Sequence, residues 1–123
     1  MKARRVRLAV EPLAKTQERW KRALKGKTSS REEVITVASW DVMGKVLSAA
    51  RLEILARVPT LKPNSISALA RSLERDFKNV YSDVTFLADL GLLELREEGK
   101  RKTLVPVVRF TGIEVDLRRG AAA

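Results

Sequence analysis

The stretch that decides the fold is residues 65–93, with the sequence SISALARSLERDFKNVYSDVTFLADLGLL. Its first part places apolar side chains at helical spacing behind a serine, a residue suited to cap a helix. The residues concerned are Ser65 and then Ile66, Leu69, Ala70 and Leu73. Because Ala70 is small, a second helix can cross closely at that point. We therefore predict a helix that is capped by Ser65 and runs through Leu73.

The second part of the stretch predicts another helix after a turn at residues 74–77. Asp76 is a good cap for a helix start, and Gly91 accepts the left-handed conformation that ends a helix. The apolar residues between them recur at three- and four-residue spacing, and we expect all of them to be buried: Phe77, Val80, Val84 and Leu87. Two helices joined by a tight turn are thus expected.

The polar face of this second helix carries the candidate functional residues. At about 100° per residue, the side opposite the predicted core holds Lys78, Tyr81, Ser82, Thr85 and Asp89, with Asn79 at its flank. Asn, Ser and Lys are residue types that contact DNA bases or phosphates, and a tyrosine hydroxyl can contact phosphate. Asp83 and Asp89 favour the alternative, an ordinary solvated helix face, because phosphates repel carboxylates. The helix alone leaves both interpretations open.

Residues 92–110 follow directly with the sequence LLELREEGKRKTLVPVVRF. Two apolar alternating runs around Glu98 and Gly99 predict a β-hairpin, with Lys100, Arg101 and Lys102 on its second arm. Such cations would contact the phosphate backbone, which positions a protein on DNA without specifying sequence. The alternative is that lysines on edge strands only discourage aggregation.

Four segments resemble prokaryotic winged helix-turn-helix regulators of the MarR-like and ArsR-like groups: residues 48–55 (SAARLEIL), 65–70 (SISALA), 75–80 (RDFKNV) and 88–93 (ADLGLL). The chain is most similar to small DNA-binding proteins that share an N-terminal strand-helix-strand arm, some of them antitoxins. The resemblance covers roughly residues 5–117. It implies a three-helix core with a β-wing, dimerisation, and operator binding by the helix that starts at Phe77. Lys78, Asn79, Tyr81 and Ser82 then occupy base- and phosphate-contacting positions.

Further elements are predicted on the N-terminal side. Residues 5–10 and 34–37 predict strands, and Pro12 suits the first turn of a helix that runs to about Leu24. Ser39 and Ser48 are suited to cap two short helices, at residues 40–47 and 49–58. In the second of these helices Leu52, Leu55 and Ala56 share an apolar stripe, with Ile54 and Val58 beside it. Proline is expected to end this helix, at Pro59 and Pro63.

Residues 113–117 alternate in polarity and predict a last strand. Its acidic side chains, Glu114 and Asp116, complement Arg5 and Arg7 of the first strand. We expect these two strands to pair, either within one subunit or between two. Trp20 and Trp40 are candidates for a subunit interface, although both could instead fill the core.

The amino-acid composition limits the kinds of chemistry that this chain can carry out. The 123-residue chain has a net charge of +10, with ten Lys and Arg against two Glu in residues 1–28, and it contains neither cysteine nor histidine. This excludes thiol and imidazole chemistry and makes an enzyme, a metal site or a cofactor improbable. With no apolar run near the roughly 20 residues of a membrane helix and no secretory signal, a cytoplasmic location is expected. Nucleic acid is the polyanion that such a basic protein typically binds.

Together these features predict an α+β fold with a winged helix-turn-helix domain at residues 39–117, an N-terminal strand-helix-strand arm at 1–38 and a frayed tail at 118–123. The predicted function is that of a homodimeric, sequence-specific transcriptional regulator of double-stranded DNA. Helix 77–90 would enter the major groove and wing 94–109 would contact the backbone. The alternative is an antitoxin-like module that binds a toxin or another acidic protein through its basic arm.

Overall fold

The computed structural model describes residues 4–11 and 33–118. Within these ranges the protein is α+β, with four helices and five strands in two sheets. The strands are β1 (Arg5–Val10), β2 (Glu33–Val37), β3 (Glu94–Glu98), β4 (Thr103–Val107) and β5 (Gly112–Asp116). The helices are α1 (Trp40–Val46), α2 (Ala49–Leu61), α3 (Ile66–Leu73) and α4 (Phe77–Leu90). The predicted helix at 12–24, Trp20 and nearly all of the predicted tail lie outside the described residues.

The chain divides into two compact units, one of residues 1–45 with 110–123 and the other of residues 46–109. In the first unit, a sheet of order β2-β1-β5 places β1 at its centre, and both of its partners run parallel to it. The first strand was predicted with its observed bounds. Val6, Leu8 and Val10 are buried, as a central strand requires.

The predicted pairing of the first and last strands is confirmed, and it occurs within one chain. Arg7 lies opposite Glu114 in the β1–β5 register, and the Arg7 Nε lies 3.2 Å from the Glu114 Oε2. The backbone N–H of Thr111 donates to the carbonyl of Arg4 at 2.8 Å, which fixes the chain just before β5. Trp40 is exposed, so the alternative that it fills the core is wrong, and its candidacy for a subunit interface stays a prediction.

The second unit consists of α2, α3 and α4 packed against one another and followed by the β3–β4 hairpin. Each of these helices begins at its predicted cap: Ser48 accepts a hydrogen bond from the Arg51 N–H, Ser65 from the Ala68 N–H and Asp76 from the Asn79 N–H. The core of the unit includes the predicted stripe of α3, from Ile66 to Leu73, together with Val80, Val84 and Leu87 of α4. Side-chain oxygens thus set where each helix starts.

Helix α2 differs from its prediction in two respects. It continues through Pro59 to Leu61 and ends at Lys62, which is left-handed (φ 45°) and donates its N–H to the Val58 carbonyl. A proline lacks the N–H that bonds to the carbonyl four residues earlier, and its ring crowds that carbonyl. Pro59 lies in the last turn, so the disturbed bond is near the helix end and α2 adds only two more residues. The buried residues are Ile54, Leu55 and Val58, whereas Leu52 and Ala56 are exposed. The core-facing stripe is therefore rotated from the predicted one.

The ends of α3 and α4 use left-handed residues. Glu74 adopts φ 54° after α3, and its N–H bonds to the carbonyls of the last helical turn; Gly91 adopts φ 88° after α4. The turn between the helices is residues 74–76, one residue shorter than predicted, because Phe77 is already helical. A short, fully bonded turn fixes the orientation of α4 with respect to α3.

We predict opposite effects of alanine at two glycines. Gly91→Ala forces a Cβ into the left-handed region and should lower the free energy of unfolding by about 1–2 kcal/mol. Gly44→Ala lies within α1, where, among the described residues, nothing outside the local helix backbone lies within 4 Å of an added Cβ, and it should raise the free energy of unfolding by about 0.5–1 kcal/mol. Urea unfolding measures both values. Equal effects at the two sites would contradict the assignment of Gly91 as the residue that ends α4.

Candidate nucleic-acid interface

The outer face of α4 presents a group of polar side chains to solvent. Four of the predicted DNA-contacting residues are exposed in the first two turns of the helix: Lys78, Asn79, Tyr81 and Ser82. Thr85 is half-buried, and its hydroxyl lies 3.0 Å from the carbonyl oxygens of both Tyr81 and Ser82. The single hydroxyl proton of Thr85 is thus used within the helix, so this residue retains only its oxygen lone pairs and its methyl group for a ligand.

Phe77 was predicted to be buried, and this prediction is wrong. Its side chain is 48% exposed, and its ring stacks at a tilt on Tyr81 with 5.8 Å between ring centroids. The periodic pattern failed because Phe77 is the first residue of α4, where the helix has not yet met the packing surface of α3. The core of α4 therefore begins at Val80.

Asp83 and Asp89 favoured the alternative of an ordinary solvated helix face, because phosphates repel carboxylates. The structure shows that the carboxylate of Asp83 does not lie on that face. The side chain of Asp83 is only 14% exposed, and two arginines bracket it. Arg75 Nη2 donates to Asp83 Oδ2 at 2.8 Å, and Arg51 Nε lies 3.2 Å from Asp83 Oδ1. The negative charge of Asp83 is thus neutralised within the protein and does not add to the outer face of α4.

The second arginine of this cluster is held by an aromatic ring. The guanidinium carbon of Arg51 lies 4.1 Å from the centroid of the Phe86 ring, which is well within the range of a cation–π contact. Arg51 belongs to α2, Arg75 to the turn before α4, and both Asp83 and Phe86 to α4. One carboxylate therefore ties together the first helix of the unit, the turn and the last helix.

Two other carboxylates near α4 remain exposed. Asp76 caps the helix start, where its charge is favourable to the positive end of the helix dipole. Asp89 lies ten residues beyond Asn79, so it is about 15 Å farther along the helix axis at 1.5 Å per residue. The exposed acidic group of the last turn is thus well separated from Lys78, Asn79 and Ser82.

The hairpin follows α4 as predicted, but its cations lie elsewhere than expected. Strands β3 and β4 are antiparallel, with Glu94 opposite Val107 and Glu98 opposite Thr103. Lys100, Arg101 and Lys102 were predicted on the second arm; they form the loop with Gly99 instead, and all three are exposed. Gly99 and Lys102 adopt positive φ angles of 76° and 52° and so allow the chain to reverse. The three positive charges are therefore concentrated at the tip of the hairpin.

The hairpin is attached to the helices through its second strand. Strand β4 contacts both α2 and α3, and Pro106 is its buried residue. Near the base of the hairpin, Glu94 pairs with Arg96 at 2.9 Å and with Arg109 at 3.0 Å. The hydrogen bond from Arg96 lowers the pKa of Glu94 below its ordinary value, and the charge of Arg109 lowers it further. The base of the hairpin is thus fixed while the cationic tip is exposed.

Residues 4–11 and 33–118 contain no group of three or more acidic side chains placed to hold a metal ion. The same residues contain no helix with the length and apolarity needed to cross a membrane. Two surface hollows, of about 430 and 200 Å³, are both lined by Arg5 and Glu114 of the first unit. None of the predicted DNA-contacting residues lines either hollow.

Fold and charge distribution define a small α+β protein whose second unit joins three packed helices to a hairpin with a cationic tip. The chain belongs to the HVO_A0114 family, whose model matches residues 46–115. This match spans the whole of the second unit and continues into β5. No curated protein and no solved structure matched the chain.

We predict that Asp83→Asn destabilises the second unit by about 2–3 kcal/mol, because it removes the charge that compensates two largely buried arginines. The control is Asp89→Asn, an exposed carboxylate on the same helix, which should change the free energy of unfolding by less than about 0.5 kcal/mol. Urea unfolding of both variants measures the difference. Equal values for the two variants would show that the Arg51–Asp83–Arg75 cluster is dispensable.

The hairpin should lose stability in acid through Glu94. Because its pKa is lower in the folded than in the unfolded protein, its contribution is fully present above the unfolded value of about 4.3 and is lost as the pH falls through the folded value. The protection factors of the β3–β4 amides, which correct for the pH dependence of intrinsic exchange, should therefore fall more between pH 5 and pH 3 in the wild type than in Glu94→Gln. Glu97→Gln, on the same strand but outside this ion pair, should behave like the wild type.

Proposed function

We propose that this protein is a sequence-specific DNA-binding transcriptional regulator of the winged helix-turn-helix type. In this proposal α3 and α4 form the helix-turn-helix, α4 enters the major groove, and the β3–β4 hairpin is the wing that contacts the phosphate backbone. The observation that carries the proposal is the neutralisation of Asp83. Lys78, Asn79 and Ser82 are exposed in the first two turns of α4, and Asp83 is the one acidic residue between Phe77 and Ala88, so these turns carry no uncompensated carboxylate beyond the cap at Asp76.

The size and residue types of this face suit the major groove. The groove of B-DNA, about 12 Å wide, admits one α-helix, and its base edges offer hydrogen-bond donors and acceptors. Asn79 can pair bidentately with adenine, whereas Ser82 and Lys78 can contact several acceptors. Because these residues lie near the start of α4, the end of the helix that would point into the groove carries the contacting groups.

The hairpin supports the proposal on electrostatic grounds. Lys100, Arg101 and Lys102 are adjacent, exposed and free of acidic neighbours within the loop formed by residues 99–102. Cations at such a tip gain affinity for DNA by releasing counterions, which makes binding strongly dependent on salt but not on sequence. Affinity would thus come largely from the loop, and specificity from α4.

A homodimer completes the proposal. One good base contact supplies only about 1–3 kcal/mol of discrimination, and a single α4 offers few such contacts. Two copies on a twofold-related site would double the number of contacts, as in other helix-turn-helix proteins whose half-sites are one helical turn apart. The expected operator is therefore an inverted repeat, which selection of bound duplexes from a random pool would reveal.

Neutralising the tip with the triple change Lys100→Gln, Arg101→Gln and Lys102→Gln should weaken binding to every duplex. The slope of log K against log salt concentration should become less steep by about 0.9 for each phosphate contact that is lost. The control is the double change Arg57→Gln and Lys62→Gln, which removes a half-buried cation of α2 and the exposed cation that directly follows this helix, and it should leave the slope unchanged. Fluorescence anisotropy over a range of salt concentrations measures both. Full affinity of the triple variant at low and high salt would contradict the role of the wing.

Asn79→Ala provides the contrasting arm of the same experiment. Its salt slope should equal that of the wild type, while the preference at one base pair of the selected site should relax.

Heparin competition tests the class of function, because a regulator stays bound to its selected site at heparin concentrations that remove it from random DNA. Loss of binding to every sequence at the same heparin concentration would identify a nonspecific polyanion binder instead.

A further inference from the structure

The first turn of α4 bears an apolar surface that the proposed polar contacts do not use. Phe77 is 48% exposed and Tyr81 is 44% exposed, although the chain has only six aromatic residues in all. The two rings lie one helical turn apart, and each is close to half exposed. Aromatic side chains dominate the energetics of interfaces, and we therefore looked to a ligand for this pair of rings.

The two rings form one surface and not two separate ones. They are four residues apart on the helix, and their ring centroids are 5.8 Å apart at a tilt of 34°. Between and beside them on the same turn are Lys78, Asn79 and Ser82, all exposed. An apolar patch that is interleaved with a cation, an amide and a hydroxyl matches a ligand that combines negative charge, hydrogen-bonding groups and a small apolar group.

The DNA major groove has this combination, and its apolar group identifies one base. Among the four bases, only thymine presents a methyl group, at C5, to the major groove, while the other edges present donors and acceptors. A phenyl ring at the start of a helix in the groove can therefore gain free energy from thymine and from no other base. We infer that Phe77, backed by the ring of Tyr81, contacts thymine methyl groups and makes thymine the preferred base where α4 begins. This inference rests on the proposed function.

In this inference the ring and the hydroxyl of Tyr81 have separate roles. Its ring would limit the movement of Phe77 through the stacking contact, and its hydroxyl would remain available to a phosphate oxygen. Tyr81→Phe should therefore weaken binding to all duplexes alike and keep the preference for thymine. Phe77→Ala should abolish that preference and keep the salt dependence.

The test replaces thymine by deoxyuridine, one position at a time, in a duplex selected from a random pool by the wild-type protein. Deoxyuridine pairs as thymine does and lacks only the C5 methyl group, so no other contact changes. Loss of one buried methyl group corresponds to about a fourfold weaker binding. We expect this loss at one or two positions of each half-site for the wild type and for Leu52→Ala, which removes an exposed apolar side chain from α2. We expect no loss for Phe77→Ala.

Three outcomes would overturn the inference. Specific binding by the wild type without any effect of deoxyuridine at any position would remove the thymine contact while leaving the proposed function intact. If the Phe77→Ala variant remained as sensitive to deoxyuridine as the wild type, the methyl contact would belong to another residue. A change of oligomeric state in Phe77→Ala, seen by light scattering, would assign the aromatic pair to a subunit interface. Failure to select any duplex would instead refute the proposed function.

Discussion

The second unit depends on one electrostatic constraint, the placement of the Asp83 carboxylate between Arg51 and Arg75. A carboxylate that is only 14% exposed is costly to bury unless its charge is compensated. The two arginines come from α2 and from the turn before α4, so compensation requires all three segments to be in place. Phe86 adds to this by stacking on Arg51, which keeps the guanidinium against α4.

This arrangement separates two roles on a single helix. The side of α4 that faces α2 and α3 carries the apolar core and the neutralised aspartate, while the opposite side retains uncharged or cationic groups near its start. The left-handed residue Glu74 and the cap at Asp76 fix where that start lies. The hairpin is held against α2 and α3 by β4, and so its cationic loop is attached to the same rigid helical framework. The exposed polar start of α4 and the position of the hairpin, on which the proposed function rests, thus both derive from the packing of the helices.

The sequence predicted the local features well and the contacts between distant residues poorly, except for the pairing of the first and last strands, which their complementary charges indicated. Caps at Ser48, Ser65 and Asp76 and the glycine stop at Gly91 were correct because each depends on a few adjacent residues. Phe77 and Leu52 were wrongly placed in the core because periodicity alone does not tell where along a helix packing begins.

The Arg51–Asp83 pair joins residues 32 positions apart, and no spacing rule indicates it. The available hint was that Asp83 directly precedes the predicted core residue Val84 and follows Arg75 by eight residues. The cations of residues 100–102 were correctly linked to a hairpin, but the length of its loop required the register of β3 and β4.

The central claim is that the start of α4 and the loop at residues 99–102 together form a DNA-binding surface. The most direct measurement is an NMR titration of the ¹⁵N-labelled protein with a duplex selected from a random pool. The account predicts that the largest amide shift changes fall in residues 77–82 and 99–103, while those of β1 and β5 remain small. Changes confined to the first unit, or a set of shifts that excludes α4, would contradict it.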